Sequence, residues 1–187
     1  MSINIKNKTA VVTGANRGIG LAITEQFLAA GAKKVYLAVR SPESVKSLEQ
    51  HYSNRVQAIQ VDVADKASIQ NLAAQTTDAE VVVNNAGVLK SAAPTDADAE
   101  AALQFEFNIN TLGLMRMAQA YEPILAKQPE AAFVQLNSVA SIKNFPPFST
   151  YSASKAAAYS LTQGLQESWE DLGIQVLSVH PGPIATD

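Results

Sequence analysis

Tyr151 and Lys155 lie four positions apart in Tyr151-Ser152-Ala153-Ser154-Lys155, the spacing that sets two side chains on one face of an α-helix. An ammonium beside a phenol favours phenolate and brings a tyrosine down from its reference pKa of about 10. A tyrosine tuned in that way can exchange a proton with an alcohol or a carbonyl oxygen near neutral pH. Ser138 closes an apolar run, where its hydroxyl could hold that same oxygen. Singly these residues are common; a second cluster gives them weight. In Thr13-Gly14-Ala15-Asn16-Arg17-Gly18-Ile19-Gly20, glycines let the chain turn tightly and come close to a pyrophosphate. The N-terminus of the following helix supplies oriented N–H groups there. The spacing is G-x-x-x-G-x-G rather than the commoner G-x-G-x-x-G.

The residues around this cradle point to a choice of dinucleotide. An acid ending the second strand would take the ribose hydroxyls of NAD, but Ala38-Val39-Arg40 ends without one. Arg17 and Arg40 could instead converge on a 2′-phosphate, which guanidinium forks suit. The expectation is therefore NADP(H), with NAD(H) the weaker candidate. Asp62 either meets the adenine amino group or caps the next turn. His51 reads as a solvated side chain and His180 as one that holds a turn. Asp96, Asp98 and Glu100 read as partners of a helix dipole rather than metal ligands. Two His and no Cys remove thiolate chemistry and leave little from which to build a zinc site, so no metal is expected.

Strands and helices alternate around these residues. Strand-length apolar runs fall at Thr9–Thr13, Val35–Val39, Val56–Val61, Glu80–Val83, Phe133–Leu136 and Ile174–Val179. Helical periodicity fills the gaps: Ile19 to Ala30 with Gly31 as its stop, a helix capped by Asp65, a long helix from about Thr95 to Leu125, and one from about Ser152 to Leu172. Apolar strands separated by helices predict an α/β fold, a doubly wound parallel sheet covered on both faces. The expected form is Rossmann-like, three-layered α/β/α, with strand order 3-2-1-4-5-6 and one domain over residues 1–187. The chain is 47% hydrophobic and 17% charged, with a net charge of −3. That composition excludes a disordered chain and makes nucleic acid an unlikely partner. No apolar leader or membrane-length run stands out, so a cytoplasmic protein is expected.

Together these residues resemble the short-chain dehydrogenase/reductase family, in its compact single-domain branch. Thr13 to Gly20 match its cofactor loop. Asn84-Asn85-Ala86-Gly87 match its N-N-A-G signature, and Tyr151 with Lys155 its Y-x-x-x-K. Asn110 in Asn110-Thr111-Leu112-Gly113 matches the asparagine that holds a relay water, and His180 to Thr186 resemble the P-G stretch beside the nicotinamide. The resemblance implies a catalytic set of Asn110, Ser138, Tyr151 and Lys155. It implies cofactor contacts from Gly14, Asn16, Arg17, Gly18, Ile19, Gly20, Arg40, Asp62 and Val63. Further contacts are implied from Asn85, Ala86, Gly87, Tyr151, Lys155, Pro181, Gly182, Ile184 and Thr186.

The implied activity is hydride exchange between NADP(H) and a carbonyl or alcohol, with Tyr151 as general acid and base. Val88, Leu89, Phe145, Pro146, Pro147 and Phe148 suggest an apolar aldehyde or ketone. The other readings are a cofactor-binding module without turnover, or a relative that epimerises or dehydrates. Chains of this branch run on past the P-G stretch with a lid, a helix and a seventh strand. This sequence stops at Asp187, so those parts are expected to be missing from it, whether they lie beyond the given sequence or do not exist. A homodimer or homotetramer is expected through the helices around 95–125 and 152–172, along the small-residue seam of Ala157, Ser160, Gly164 and Ser168.

Overall fold

The computed structural model of the protein describes residues 3–184. Six strands run as β1 Thr9–Thr13, β2 Lys34–Val39, β3 Val56–Gln60, β4 Val81–Asn84, β5 Ala131–Leu136 and β6 Ile174–Val179. They form one sheet in the order β3-β2-β1-β4-β5-β6, and every neighbouring pair is parallel. The helices are α1 Gly18–Ala29, α2 Lys46–Tyr52, α3 Lys66–Gln75, α4 Ala99–Glu106, α5 Gly113–Leu125 and α6 Ser149–Ser168. This is the expected Rossmann-like α/β architecture and strand order.

Alternation along the strands divides the core in two. Val11, Tyr36, Val82 and Phe133 point to one face, where they meet Ile69 and Leu72 of α3, Leu114, Met117 and Tyr121 of α5, and Ala158 of α6. Val12, Leu37 and Val83 point to the other face, against Leu28 of α1, with Leu48 of α2 packed on the same cluster. Both faces of the central strands are therefore apolar, and β1 and β4 are buried along their whole length. Among the described residues no helix is long and apolar enough to cross a membrane.

Three boundaries differ from the reading of the sequence. The expected helix over 95–125 begins at Ala99 and is interrupted by a π-helical segment, Phe107–Leu112. The Arg116 guanidinium braces that widened turn by donating to the Asn108 carbonyl at 3.0 Å and to Asn108 Oδ1 at 2.9 Å. The expected helix over 152–172 runs Ser149–Ser168 instead. It stops because Trp169 turns inward, packs edge-on against Phe133 with ring centroids 5.5 Å apart, and donates its indole N–H to Glu122 at 2.8 Å. Asp65 caps α3 as expected, accepting from Ala67 N–H at 2.9 Å. Asp98 holds the N-cap position of α4 without a side-chain bond, and Asp96 instead accepts from Ala93 N–H at 2.7 Å.

Candidate active site

The cradle is built where the strand order reverses, between β1 and β4. Gly14 and Gly18 adopt φ of 67° and 55°, a left-handed backbone that a side chain would strain. Arg17, fully extended, stands at the N-cap of α1. Thr13 joins this loop to the one after β4: its hydroxyl accepts from the Asn85 and Ala86 N–H groups, each at 2.9 Å. The Asn85 amide returns a bond to the Thr13 carbonyl at 2.9 Å. The two loops are thus one rigid rim at the carboxyl ends of neighbouring strands, the place where open α/β sheets bind ligands.

A cleft of about 810 Å³ opens along this rim. Gly14, Asn16, Arg17, Gly18 and Ile19 line it from the first loop. Arg40, Asp62 and Val63 line it beyond β2 and β3, and Asn85, Ala86 and Gly87 beyond β4. Arg17 and Arg40 are exposed, and neither enters an ion pair among the described residues. With the helix N-terminus behind them, the donor set suits a diphosphate with a further phosphate. Asp62 fits its capping role, since Oδ1 accepts from Ala64 N–H at 2.9 Å, and it lines the cleft as well.

Gly20 packs against the loop itself, where a Cβ would stand 2.2 Å from the Gly14 carbonyl oxygen. Gly20, Tyr151, Lys155, Pro181, Gly182 and Ile184 stand apart from the residues that line the cleft, and Thr186 lies outside the described residues. Ser41 and Ser44, which the sequence reading did not name, flank Arg40 in the wall. Their only signal was position, just past the carboxyl end of β2.

At its inner end the rim meets the acid–base residues. A Cβ on Gly87 would stand 3.1 Å from Asn110 Oδ1 and 3.5 Å from Lys155 Nζ, so these three residues are neighbours. Lys155 Nζ donates to the Leu136 carbonyl at 2.8 Å and sits 5.9 Å from the Tyr151 ring centroid. The Asn110 side chain clamps the segment after β4: Oδ1 accepts from Val88 N–H, and Nδ2 donates to the Val88 carbonyl and to Ser154 Oγ, each at 2.9 Å. Ser138 stands two residues past the end of β5 and caps a short 3₁₀ turn, with Oγ accepting from Ala140 N–H at 3.1 Å. His180 supports that turn, rather than the turn at Pro181 where the sequence placed its role. Nδ1 lies 3.2 Å from the Ser138 carbonyl and 2.9 Å from Ser141 Oγ, and Nε2 lies 2.7 Å from Ser178 Oγ. His51 is exposed.

The electrostatics differ from the expectation that Lys155 lowers Tyr151. Burial pushes the Tyr151 phenol above its ordinary value; the Ser138 hydroxyl pulls it down and the Glu106 carboxylate pushes it up. Lys155 is itself brought down to about 8, because burial disfavours its ammonium. Glu106 carried no signal in the sequence, where one acid in a helical stretch reads as a solvated residue. In the structure it is completely buried. Among the described residues no cluster of His, Asp and Glu could hold a metal ion.

A glycine-rich crevice at the carboxyl edge of a Rossmann-like parallel sheet defines a class, the dinucleotide-binding α/β folds. The family model for short chain dehydrogenases matches residues 8–187, and the chain belongs to that family. An uncharacterised oxidoreductase of Staphylococcus saprophyticus is 31% identical over 191 residues, covering 98% of this chain and 81% of its own. Another, from Staphylococcus aureus strain USA300, is 32% identical over 187 residues, covering 97% and 80%. The crystal structure of a short-chain dehydrogenase from Burkholderia cenocepacia J2315 in complex with NADP aligns with a TM-score of 0.93 at 31% identity, covering 99% of this chain and 76% of that one. A family member from Burkholderia phymatum in complex with NAD aligns with a TM-score of 0.89 at 26% identity, covering 99% and 69%.

Proposed function

We propose that this protein is an NADP(H)-dependent short-chain oxidoreductase that interconverts a carbonyl and an alcohol on an apolar aldehyde or ketone. The observation that carries this reading is the meeting of Asn110 and Lys155 on Gly87, the inner end of a crevice whose outer part presents Arg17 and Arg40. The outer residues would hold the phosphates, and the two unpaired guanidiniums favour a 2′-phosphate. Similar structures hold NADP or NAD, so the preference rests on those two arginines. When bound, the nicotinamide supplies or accepts the hydride.

The chain's own residues do the rest. Tyr151 gives a proton to the carbonyl oxygen in reduction and takes one from the alcohol in oxidation. Ser138 orients that oxygen from its pinned turn. Lys155, held by the Leu136 carbonyl beside Gly87, would bond the nicotinamide ribose and balance the phenolate as it forms. Asn110 keeps the segment after β4 in register with both. The exposed side chains of Leu89 and Phe148 support an apolar substrate. One domain binds the cofactor and carries the catalytic residues, and copies of the chain would assemble in the cytoplasm through α6 and the α4–α5 pair.

Replacing Tyr151 by Phe tests the mechanism. Carbonyl reduction should fall by about three orders of magnitude, within the range of a lost general acid, while the NADPH dissociation constant stays nearly unchanged. NADPH should bind more tightly than NADH to both proteins. Turnover retained by Tyr151→Phe would refute the tyrosine's role, and tighter binding of NADH would refute the cofactor preference.

A further inference from the structure

Ser138 and His180 face each other where the ladder between β5 and β6 runs out. On either side of Ser138, Asn137 N–H donates to the Val179 carbonyl at 2.8 Å and Val139 N–H to the Pro181 carbonyl at 3.0 Å. The His180 ring packs edge-to-face with Tyr159 of α6, centroids 4.6 Å apart, and each of its nitrogens meets a serine hydroxyl. His180 does not line the cleft, so whatever it does there passes through the turn it touches.

The donors and acceptors decide which ring nitrogen carries the proton. Three groups converge on the Ser138 carbonyl: Ser141 N–H at 2.9 Å, the Ser141 hydroxyl at 2.5 Å and His180 Nδ1 at 3.2 Å. A carbonyl only accepts, so a bare Nδ1 there would set two acceptors against each other. With its own proton given to that carbonyl, Ser141 Oγ is free to accept, and Nδ1 lies 2.9 Å away. On the other side Ser178 Oγ accepts from Asn137 Nδ2 at 2.8 Å. Its proton is then available to His180 Nε2 at 2.7 Å. The Nδ1–H form thus pairs every polar hydrogen along the path: Asn137 donates to Ser178, Ser178 to His180, and His180 to Ser141 and the Ser138 carbonyl. The Nε2–H form strands the Ser178 proton and leaves Nδ1 facing a carbonyl. A polar chain with every donor placed is rigid, and here it ends on the turn where Ser138 Oγ accepts from Ala140 N–H at 3.1 Å.

We propose that His180 is a positioning residue: held as its Nδ1–H tautomer by Ser178, it locks the Ser138 carbonyl and so aims the Ser138 hydroxyl at the substrate oxygen. The inference rests on the reading of Ser138 as the group that orients that oxygen. It gives β6 a part in the chemistry, since Ser178 sets the tautomer from within that strand.

The test labels the protein with ¹⁵N and correlates each imidazole nitrogen with its ring protons. The chain has two histidines, and the His180 signals are those that vanish in His180→Asn. His180 should show a protonated Nδ1 and a bare Nε2. In Ser178→Ala that preference should give way to a mixture, and Ala140 N–H should exchange with solvent about tenfold faster, the scale of one lost hydrogen bond. Carbonyl reduction by Ser178→Ala should lose about tenfold in kcat while the NADPH dissociation constant holds. Added to Ser138→Ala, the same change should cost nothing more, because its effect passes through the missing hydroxyl; a merely structural role would subtract again. A bare Nδ1, an unmoved tautomer in Ser178→Ala or additive losses overturn the proposal. Should Ser178→Ala not fold, His180→Asn and His180→Leu replace it. The asparagine amide can donate to the Ser138 carbonyl and should slow Ala140 exchange relative to leucine; equal exchange overturns the proposal. A protein inert towards every carbonyl would sink the proposed activity, and the nitrogen spectrum with Ala140 exchange would still decide whether His180 sets the turn.

Discussion

Lys155 is 5% exposed, and burial brings its ammonium from 10.5 to about 8. In the unfolded chain the same lysine titrates near 10.5. Below pH 8 both states hold the proton, and the cost of burying the charge is present in full. Between about 8 and 10.5 the unfolded state binds more protons than the folded one, so stability rises with pH across that window. Denaturant unfolding of the protein and of Lys155→Met should therefore diverge, the native lysine gaining roughly 3 kcal/mol relative to methionine by the upper end. A difference that stays flat with pH would mean that the ammonium is solvated. The Tyr151–Lys155 pair was legible from its spacing, yet the sign of the shift on Tyr151 was not. Proximity along a helix carries no information about how deeply a phenol is buried or which acid a neighbouring helix presents.

At the scale of the elements, the cradle depends on how closely α1 can follow β1. Gly20 permits it: a Cβ there would press on the Gly14 carbonyl and stand 2.6 Å from Asn85 Nδ2. Gly20→Ala should therefore push the two loops apart, costing about 1–3 kcal/mol as an overpacked contact does. Affinity for a dinucleotide should weaken about tenfold, read by calorimetry beside a thermal melt. Unchanged affinity and melting would show that the loops give way freely. All six strands were legible because the apolar runs are short and separated by stretches of helical period, and their order followed from the Rossmann-like form that such alternation predicts. The π-helical segment was not, since one extra residue rotates the apolar face without interrupting it, and Phe107, Ile109 and Leu112 still read as helix. Glu106 sits just before that segment, and its burial comes from α6 and the β4 loop, which are distant in the chain.

At the scale of the molecule, α6 leaves part of its surface uncovered. Ser160, Gly164 and Ser168 are exposed, Leu161 beside them is too, and a Cβ on Gly164 would meet nothing within 4 Å. The seam is not consumed by the protein's own sheet, which favours the expected pairing of copies across it. Light scattering should give a mass of at least two chains. Gly164→Arg should reduce it to one while leaving the melting temperature of the fold within a few degrees. A single-chain mass for the unaltered protein would end that reading.

Trp169 is the only tryptophan in the chain, and it is 2% exposed. It sits by the amino-terminal ends of β5 and β6, at the far side of the sheet from the crevice. The protein thus carries one indole fluorophore in an apolar setting, whose emission should be blue-shifted and should redden when water reaches the ring. Its signal reports the release of α6 from the sheet. Loosening confined to the loops around Gly14 and Asn85 would leave the emission maximum unmoved, so opening of the rim and melting of the core are separable by colour.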